Sequence, residues 1–204
     1  MGICIPRRSQ HLPARRKLVL VGDGGCGKTS LLNVFTRGYF PQAYEPTVFE
    51  NYVHDVTLED TMQTVELSLW DTAGQEGFDR LRALSYQDTH AFLLCFSVDD
   101  RDSLDNIPHR WLEEVMEHSP QAKIILVALK CDLRDNSRIQ DPILYEEGLA
   151  VARSIHAVRY LECSAKHNRG VRECFDQAAR VALPVRIGRG RFDRRTRGSV
   201  CNIL

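Results

Sequence analysis

The sequence has 204 residues, 43% hydrophobic and 26% charged, with 27 lysines and arginines offsetting 27 acids. That composition fits one globular domain with tails and excludes a wholly disordered or collagen-like chain. The longest apolar runs, residues 91–96 and 124–129, are far too short to span a bilayer.

The formal charge of zero is unevenly distributed. Residues 1–17 carry Arg7, Arg8, Arg15, Arg16 and Lys17 and no acid, while residues 184–204 carry six arginines against Asp193, so each end is +5 and the middle −10. A duplex-DNA binder keeps its positive charge on the folded surface. An acidic body with two basic ends suits an anionic membrane surface instead, and no nucleic-acid partner is expected. The seven cysteines (4, 26, 95, 131, 163, 174, 201) include no CxxC. They read as reduced thiols, not as a disulfide framework or a zinc site. No charged-then-apolar secretory pattern opens the chain.

In chain order, residues 1–16 form a Pro- and Arg-rich extension expected to be mobile. Residues 17–21 are a buried strand ending in Gly22, and residues 28–35 a helix. Residues 51–58 and 64–70 are strands joined by residues 59–63; Val65, Leu67 and Leu69 alternate with Glu66 and Ser68, so one face is buried. Residues 91–98 and 123–129 are continuous apolar runs, as fully buried parallel strands are. A helix over about 103–118 lies between them, and residues 159–163 are a last strand. Val171, Cys174, Phe175, Ala178, Ala179 and Ala182 then recur at helical spacing. Strands alternating with helices specify an α/β fold with a mostly parallel sheet, whose ligands sit at the carboxyl ends of the strands.

Gly22-Asp23-Gly24-Gly25-Cys26-Gly27-Lys28-Thr29 matches G-x-x-x-x-G-K-[ST] in full, after a strand and at the opening of a helix. Glycines let backbone N–H groups converge on phosphate oxygens, and the helix N-terminus adds partial positive charge. Lys28 can place its ammonium on the β- and γ-phosphates and the Thr29 hydroxyl can bind Mg²⁺. Such a loop does not choose between ATP and GTP, or between kinase and hydrolase. Three further segments bear on that choice.

Asp71-Thr72-Ala73-Gly74-Gln75-Glu76 follows the second alternating strand. Asp71 can hold Mg²⁺ through a water, Gly74 can bring its N–H to a γ-phosphate, and Gln75 can orient an attacking water. Leu129-Lys130-Cys131-Asp132 and Ser164-Ala165-Lys166 follow two successive later strands. Asp132 can accept from N1–H and the 2-amino group of guanine, a donor pair that adenine lacks; such a site can reject the wrong base by roughly 10⁴–10⁵. Lys130 can lie along the ring and the Ala165 backbone can donate to O6. Within residues 39–52, Thr47 can give its hydroxyl to Mg²⁺ and its N–H to the γ-phosphate, ordering that loop with GTP and releasing it with GDP.

On these residues the chain resembles the Rho family of small GTPases over about residues 17–183 and a C-terminal box. The resemblance rests on the phosphate loop, on Tyr44-Glu45-Pro46-Thr47-Val48-Phe49-Glu50-Asn51-Tyr52, on Trp70 before the Asp71–Glu76 run, and on Phe78-Asp79-Arg80-Leu81-Arg82. The stretch at residues 145–152 is most similar to the fungal Rho subgroup tied to polarised growth and secretion. The resemblance implies the P-loop NTPase three-layer fold: a mostly parallel six-stranded sheet with helices on both faces. It implies a GTPase domain over 17–183 between the extension 1–16 and a tail 184–204. It implies nucleotide contacts from Gly22 through Ser30, Phe40, Tyr44, Thr47, Asp71, Gly74, Lys130, Asp132, Ser164, Ala165 and Lys166, with Mg²⁺ on Thr29 and Thr47 and Gln75 as the catalytic residue.

Hydrolysis is expected to be slow, with a GTPase-activating protein supplying an arginine. An exchange factor, a GDP-dissociation inhibitor and effectors are expected to bind residues 39–52 and 72–84 of a monomer. A GTP-binding scaffold that barely hydrolyses and an ATP-dependent P-loop kinase are the competing expectations; Gln75 argues against the first and Asp132 against the second. The sequence departs from the family at Leu129 (usually Asn or Thr) and at Gly77 (mostly an acid). Its residues 59–63 form a longer hairpin, and residues 134–144 a shorter insert in which a helix is doubtful.

Cys201-Asn202-Ile203-Leu204 is a C-a-a-X box whose leucine favours geranylgeranyl. One lipid anchors only marginally. Arg186, Arg189, Arg191, Arg194, Arg195 and Arg197 can add about 1 kcal/mol each near an anionic leaflet. Gly2 lacks the Ser or Thr a myristoylation site needs, Pro6 standing in that place, while Cys4 beside a basic run is a candidate for palmitoyl. The cytoplasmic face of the plasma membrane, with a cytosolic pool, is the expected location, and polarity, actin organisation and exocytosis the expected roles.

Overall fold

The computed structural model describes residues 13–43, 45–137 and 139–184. Six strands, β1 (Ala14–Gly22), β2 (Phe49–Leu58), β3 (Gln63–Thr72), β4 (Ala91–Ser97), β5 (Lys123–Leu129) and β6 (Arg159–Glu162), form one sheet in the order β2-β3-β1-β4-β5-β6. Only β2 runs antiparallel to its neighbour; the other pairings are parallel. This is the mostly parallel six-stranded sheet expected, with helices on both faces.

Alternation along β1 builds the two cores. Leu18 and Leu20 face the layer of α1 (Lys28–Arg37) and α6 (Val171–Ala182), meeting Leu31, Leu32 and Phe175. Val19 and Val21 face the opposite layer, with Ile107, Trp111 and Val115. Strand side chains point alternately to the two faces, so a continuous apolar run serves both layers at once.

β1 begins at Ala14, earlier than the apolar run does. Its first residues pair in register with β3, and Arg15 bonds Glu66 at 2.8 Å. The helix expected over 103–118 is interrupted. α3 (Arg101–Asn106) and α4 (Leu112–His118) are joined by a π-helical turn at Ile107–Trp111. Pro108 has no N–H and its ring crowds the preceding turn. The ladder shifts there, and the Leu112 N–H donates to the Ile107 carbonyl five residues back.

Two short helices lie outside the sequence expectation, α2 (Asp79–Leu84) and α5 (Tyr145–Ser154). Glu147 caps the second, accepting from the Leu144 N–H at 2.7 Å. The long hairpin between β2 and β3 is tied down where Arg180 of α6 bonds Asp60 at 2.6 Å. The described residues of 136–144 contain no helix. Arg134 holds that segment, donating to the Ile143 carbonyl at 2.7 Å and in two bonds to Glu162. Among the described residues the cysteines at 26, 95, 131, 163 and 174 are buried free thiols, and no helix is long and apolar enough to cross a membrane.

Candidate functional site

The carboxyl ends of β1, β3, β5 and β6 open into two joined cavities. One, of about 390 Å³, is lined by Gly24, Gly25, Lys28, Thr29, Thr47, Gly74 and Gln75 among others. The other, of about 110 Å³, is lined by Gly27, Phe40, Leu129, Lys130, Asp132, Ala165 and Lys166. Ser30 and Lys130 border both.

The larger cavity is built on backbone. Gly27, at φ 114°, begins α1 with no side chain capping it, so the first N–H groups of the helix are left for a ligand. An anion at that end meets unpaired donors and the positive end of the helix dipole. Lys28 is buried, and its Nζ lies 2.7 and 2.8 Å from the carbonyls of Gly22 and Asp23. The Cys26 side chain turns into the core, where its Sγ accepts from Lys28 Nζ at 3.7 Å, and the Asp23 carboxylate turns away from the cavity towards Asn106 and Trp111.

Gly74 closes the cavity from the other side. A Cβ there would lie 2.3 Å from the Gly24 nitrogen and 2.5 Å from the Gly22 carbonyl oxygen. Only glycine lets these two loops touch. Gln75 follows, its side chain beside Gly24 and its Oε1 buried with no partner. An acceptor so placed can orient a water.

The hydroxyls of Thr29 and Thr47 are 2.6 Å apart. Asp71 is fully buried near them, both carboxylate oxygens lacking a hydrogen-bond partner, and burial pushes its carboxyl up to about 6. Buried carboxylates are normally paired. Two hydroxyls and an unpartnered carboxylate form a hard oxygen donor set that fits Mg²⁺.

The smaller cavity is a slot lined by apolar groups, by Lys130 and Lys166, and by one acid, Asp132. The left-handed backbone of Lys130 (φ 56°) turns the chain out of β5 into a 3-10 turn, Cys131–Asp135. Asp132 lies in that turn, its Oδ1 buried and unpartnered. The Cys131 N–H donates to the Cys163 carbonyl at 3.2 Å, fastening this turn to the segment that carries Ser164, Ala165 and Lys166. Ser164 is buried and accepts from the His167 N–H at 3.2 Å, stiffening that segment rather than lining the slot. Leu129 is buried and meets the phosphate loop through an apolar contact, 3.6 Å from where a Gly27 Cβ would stand.

Tyr44, Cys4, Cys201 and the tail arginines lie outside the described residues. The sequence reading missed Asn106, Arg82, Arg110 and Trp111. Arg82, nearly fully buried, donates to the Ala73 carbonyl at 2.7 Å and to both oxygens of Glu114. Arg110 bonds Glu76 at 2.8 Å and reaches the Gly74 carbonyl at 3.4 Å. Arg37 borders the larger cavity, but its guanidinium lies over the Tyr52 ring and donates to Asn33. Lone aromatic and basic residues in a helix carry no pattern that announces such contacts.

Comparison with known proteins agrees with this geometry. A model of the Ras family matches residues 17–183. The GTP-binding protein rho3 of Schizosaccharomyces pombe is 61% identical over 182 residues, 86% of each chain. The GTP-binding protein RHO3 of Saccharomyces cerevisiae is 52% identical over 210 residues, 89% of this chain and 90% of its own. The human Rho-related GTP-binding protein RhoB is 54% identical over 182 residues, 85% of this chain and 92% of its own.

Proposed function

The chain belongs to the Ras family of small GTPases, in its Rho branch, and from that premise we propose how its residues bind GTP and hydrolyse it. The amides from Gly24 to Thr29 cradle the phosphates and Lys28 neutralises their charge. Thr29 and Thr47, with Asp71 behind them, would hold Mg²⁺, which would supply positive charge to offset that of the phosphates. Gln75 orients the attacking water and the Gly74 N–H meets the γ-phosphate. Asp132 accepts from the guanine edge while Lys130, Phe40 and Lys166 enclose the ring and the Ala165 amide meets O6.

One observation carries the guanine assignment: the unpartnered carboxylate oxygen of Asp132, the one acid among the residues that line the slot. A buried acceptor needs a donor, and guanine supplies two where adenine supplies none in that arrangement. The test is displacement of labelled GDP from the purified chain. Excess ATP is expected to leave the label in place and unlabelled GTP to remove it; equal displacement by both would overturn the assignment.

As a member of the Rho branch the chain is a membrane-peripheral switch with regulators and effectors. In finer detail we infer that Cys201 carries a geranylgeranyl group and that the arginines of the tail reinforce it at the cytoplasmic face of the plasma membrane. A GDP-dissociation inhibitor maintains the cytosolic pool, and exchange factor, activating protein and effectors use residues 39–52 and 72–84 of a monomer. Polarised growth, actin organisation and exocytosis are the processes served. Cys201→Ser is expected to move the protein to the soluble fraction. Loss of thioester-linked label on Cys4→Ser checks the palmitoyl assignment.

A further inference from the structure

The Asp23 carboxylate lies in the phosphate loop but faces away from the cavity. One oxygen accepts from Asn106 Nδ2 at 2.8 Å and the other from Trp111 Nε1 at 2.6 Å. Both partners come from the rod that contains the π-helical turn. Five residues along a regular α-helix, two side chains point about 140° apart. Across a turn closed by i→i+5 bonds they return to nearly the same face. The turn at Ile107–Trp111 therefore lets Asn106 and Trp111 grip one carboxylate together.

The same indole has a second set of partners. It is fully buried, with the Arg82 guanidinium 4.7 Å and the Arg110 guanidinium 4.5 Å from its centroid. Both arginines hold main chain of the segment that carries Gln75. Arg82 donates to the carbonyls of Ala73 and Gln75, and Arg110 to that of Gly74. Trp111 thus touches the phosphate loop through its N–H and, through the two guanidiniums over its ring, is linked to the segment that carries Gln75. Those two segments must keep a fixed spacing for a water held by Gln75 to line up with a phosphate held by the loop.

We propose that Trp111 is a positioning residue of GTP hydrolysis, its indole tying the Asp23 carboxylate of the phosphate loop to the arginine-held segment that carries Gln75. The proposal rests on the assignment of Gln75 to the attacking water. Trp111 reaches neither nucleotide nor water; it sets the distance between the groups that do.

Single-turnover GTP hydrolysis and release of fluorescently labelled GDP, measured on the full chain, separate this role from a purely structural one. Trp111→Phe keeps an aromatic ring between the two guanidiniums and removes the N–H. Hydrolysis is expected to fall about tenfold while GDP release changes by less than about twofold, a split that general loosening does not produce. A second pair decides the matter even where that variant folds poorly. Asp23→Ala is expected to show the same split. Asp23→Asn is expected to lose less hydrolysis than Asp23→Ala, because an amide can accept from the indole and donate to a turned Asn106 amide.

Parental hydrolysis in Asp23→Ala, or GDP release accelerating in step with the lost hydrolysis, would overturn the proposal. Gln75→Leu tests the assignment beneath it. Parental hydrolysis in that variant removes Gln75 from the reaction and the proposal with it. Loss of hydrolysis there, beside normal turnover by Trp111→Phe and Asp23→Ala, overturns the tether alone.

Discussion

The two loops that border the phosphate cavity are held in opposite ways. The described residues of 39–48 lie largely on the surface, with Tyr39 50% and Val48 52% exposed, and the Thr47 hydroxyl ties them inward to that of Thr29. Residues 73–76 are bound into the protein: Gly74 rests on the phosphate loop and the carbonyls of Ala73, Gly74 and Gln75 all face arginine donors. The first loop can be ordered or released by what lies between two hydroxyls. The second is assembled by the fold before any ligand arrives. Ligand-dependent ordering is therefore expected of the first loop, and fixed geometry of the second.

Removing the anchor of the second loop should have the largest effect. Arg82 is a charge buried against Glu114, Asp79 and two carbonyls. Arg82→Met leaves Glu114 with only the Tyr86 hydroxyl as donor and those carbonyls with none from the arginine, and about 3–5 kcal/mol of stability should be lost. Chemical denaturation of the GDP-bound protein measures this. A loss below about 1 kcal/mol would mean that the loop does not depend on the arginine.

The contact between the loops comes next. Gly74→Ala drives a Cβ into the Gly24 nitrogen, which is backbone and cannot swing aside. The loops must part, and single-turnover hydrolysis should fall by about a hundredfold. Gly24→Val is milder. A Cβ there stands 3.5 Å from Gln75 Nε2, an ordinary contact, and it is the added methyls that crowd the amide. With an activating protein present the loss should be about tenfold or more, leaving the GTP form persistent. A greater loss for Gly24→Val than for Gly74→Ala would reverse the order given to the two contacts.

How much of this was legible in the sequence follows the same division. The strands, the α6 face and both cavities rest on local or periodic demands: apolar runs, glycines where backbone approaches backbone, short motifs after strands. Those were readable. The tethers were not. Trp111 and Arg110 act through partners 88 and 36 residues away along the chain, and Arg82 is fixed by Glu114, 32 residues on; pairing at such range leaves no period. Pro108 marks a break in a helix but does not say that the break becomes a π-helical turn aligning Asn106 with Trp111. α2 and α5 escaped because short helices with mixed faces owe their form to neighbours. Among the described residues of 134–144 the chain continues only the 3-10 turn that ends at Asp135, and Arg134 fixes the segment through Glu162 and the Ile143 carbonyl.

The base slot is a third region between these extremes. Leu129 shares the apolar core with Cys26 of the phosphate loop and has no polar side-chain atom with which to bond that loop. Leu129→Asn can add a hydrogen bond to a phosphate-loop carbonyl. At about 1 kcal/mol, GDP release should slow roughly fivefold in a dissociation assay. Unchanged or faster release would mean that the slot and the loop are already rigidly joined.

Thr47→Ala should have the smallest effect on stability and is the sharpest test of the contrast. Thr47 is only half-buried and its neighbours are exposed, so denaturation of the GDP form should change by less than about 0.5 kcal/mol. What should change is the response to ligand. In the parent, a loop tied through Thr47 is protected from limited proteolysis with a non-hydrolysable GTP analogue and cut with GDP. In Thr47→Ala both forms should be cut at the same rate, because the hydroxyl that could report the ligand is gone while the fold beneath it is intact. Protection by the analogue that survives in Thr47→Ala would show that residues 39–48 have another inward tie, and the two loops would then differ in degree rather than in kind.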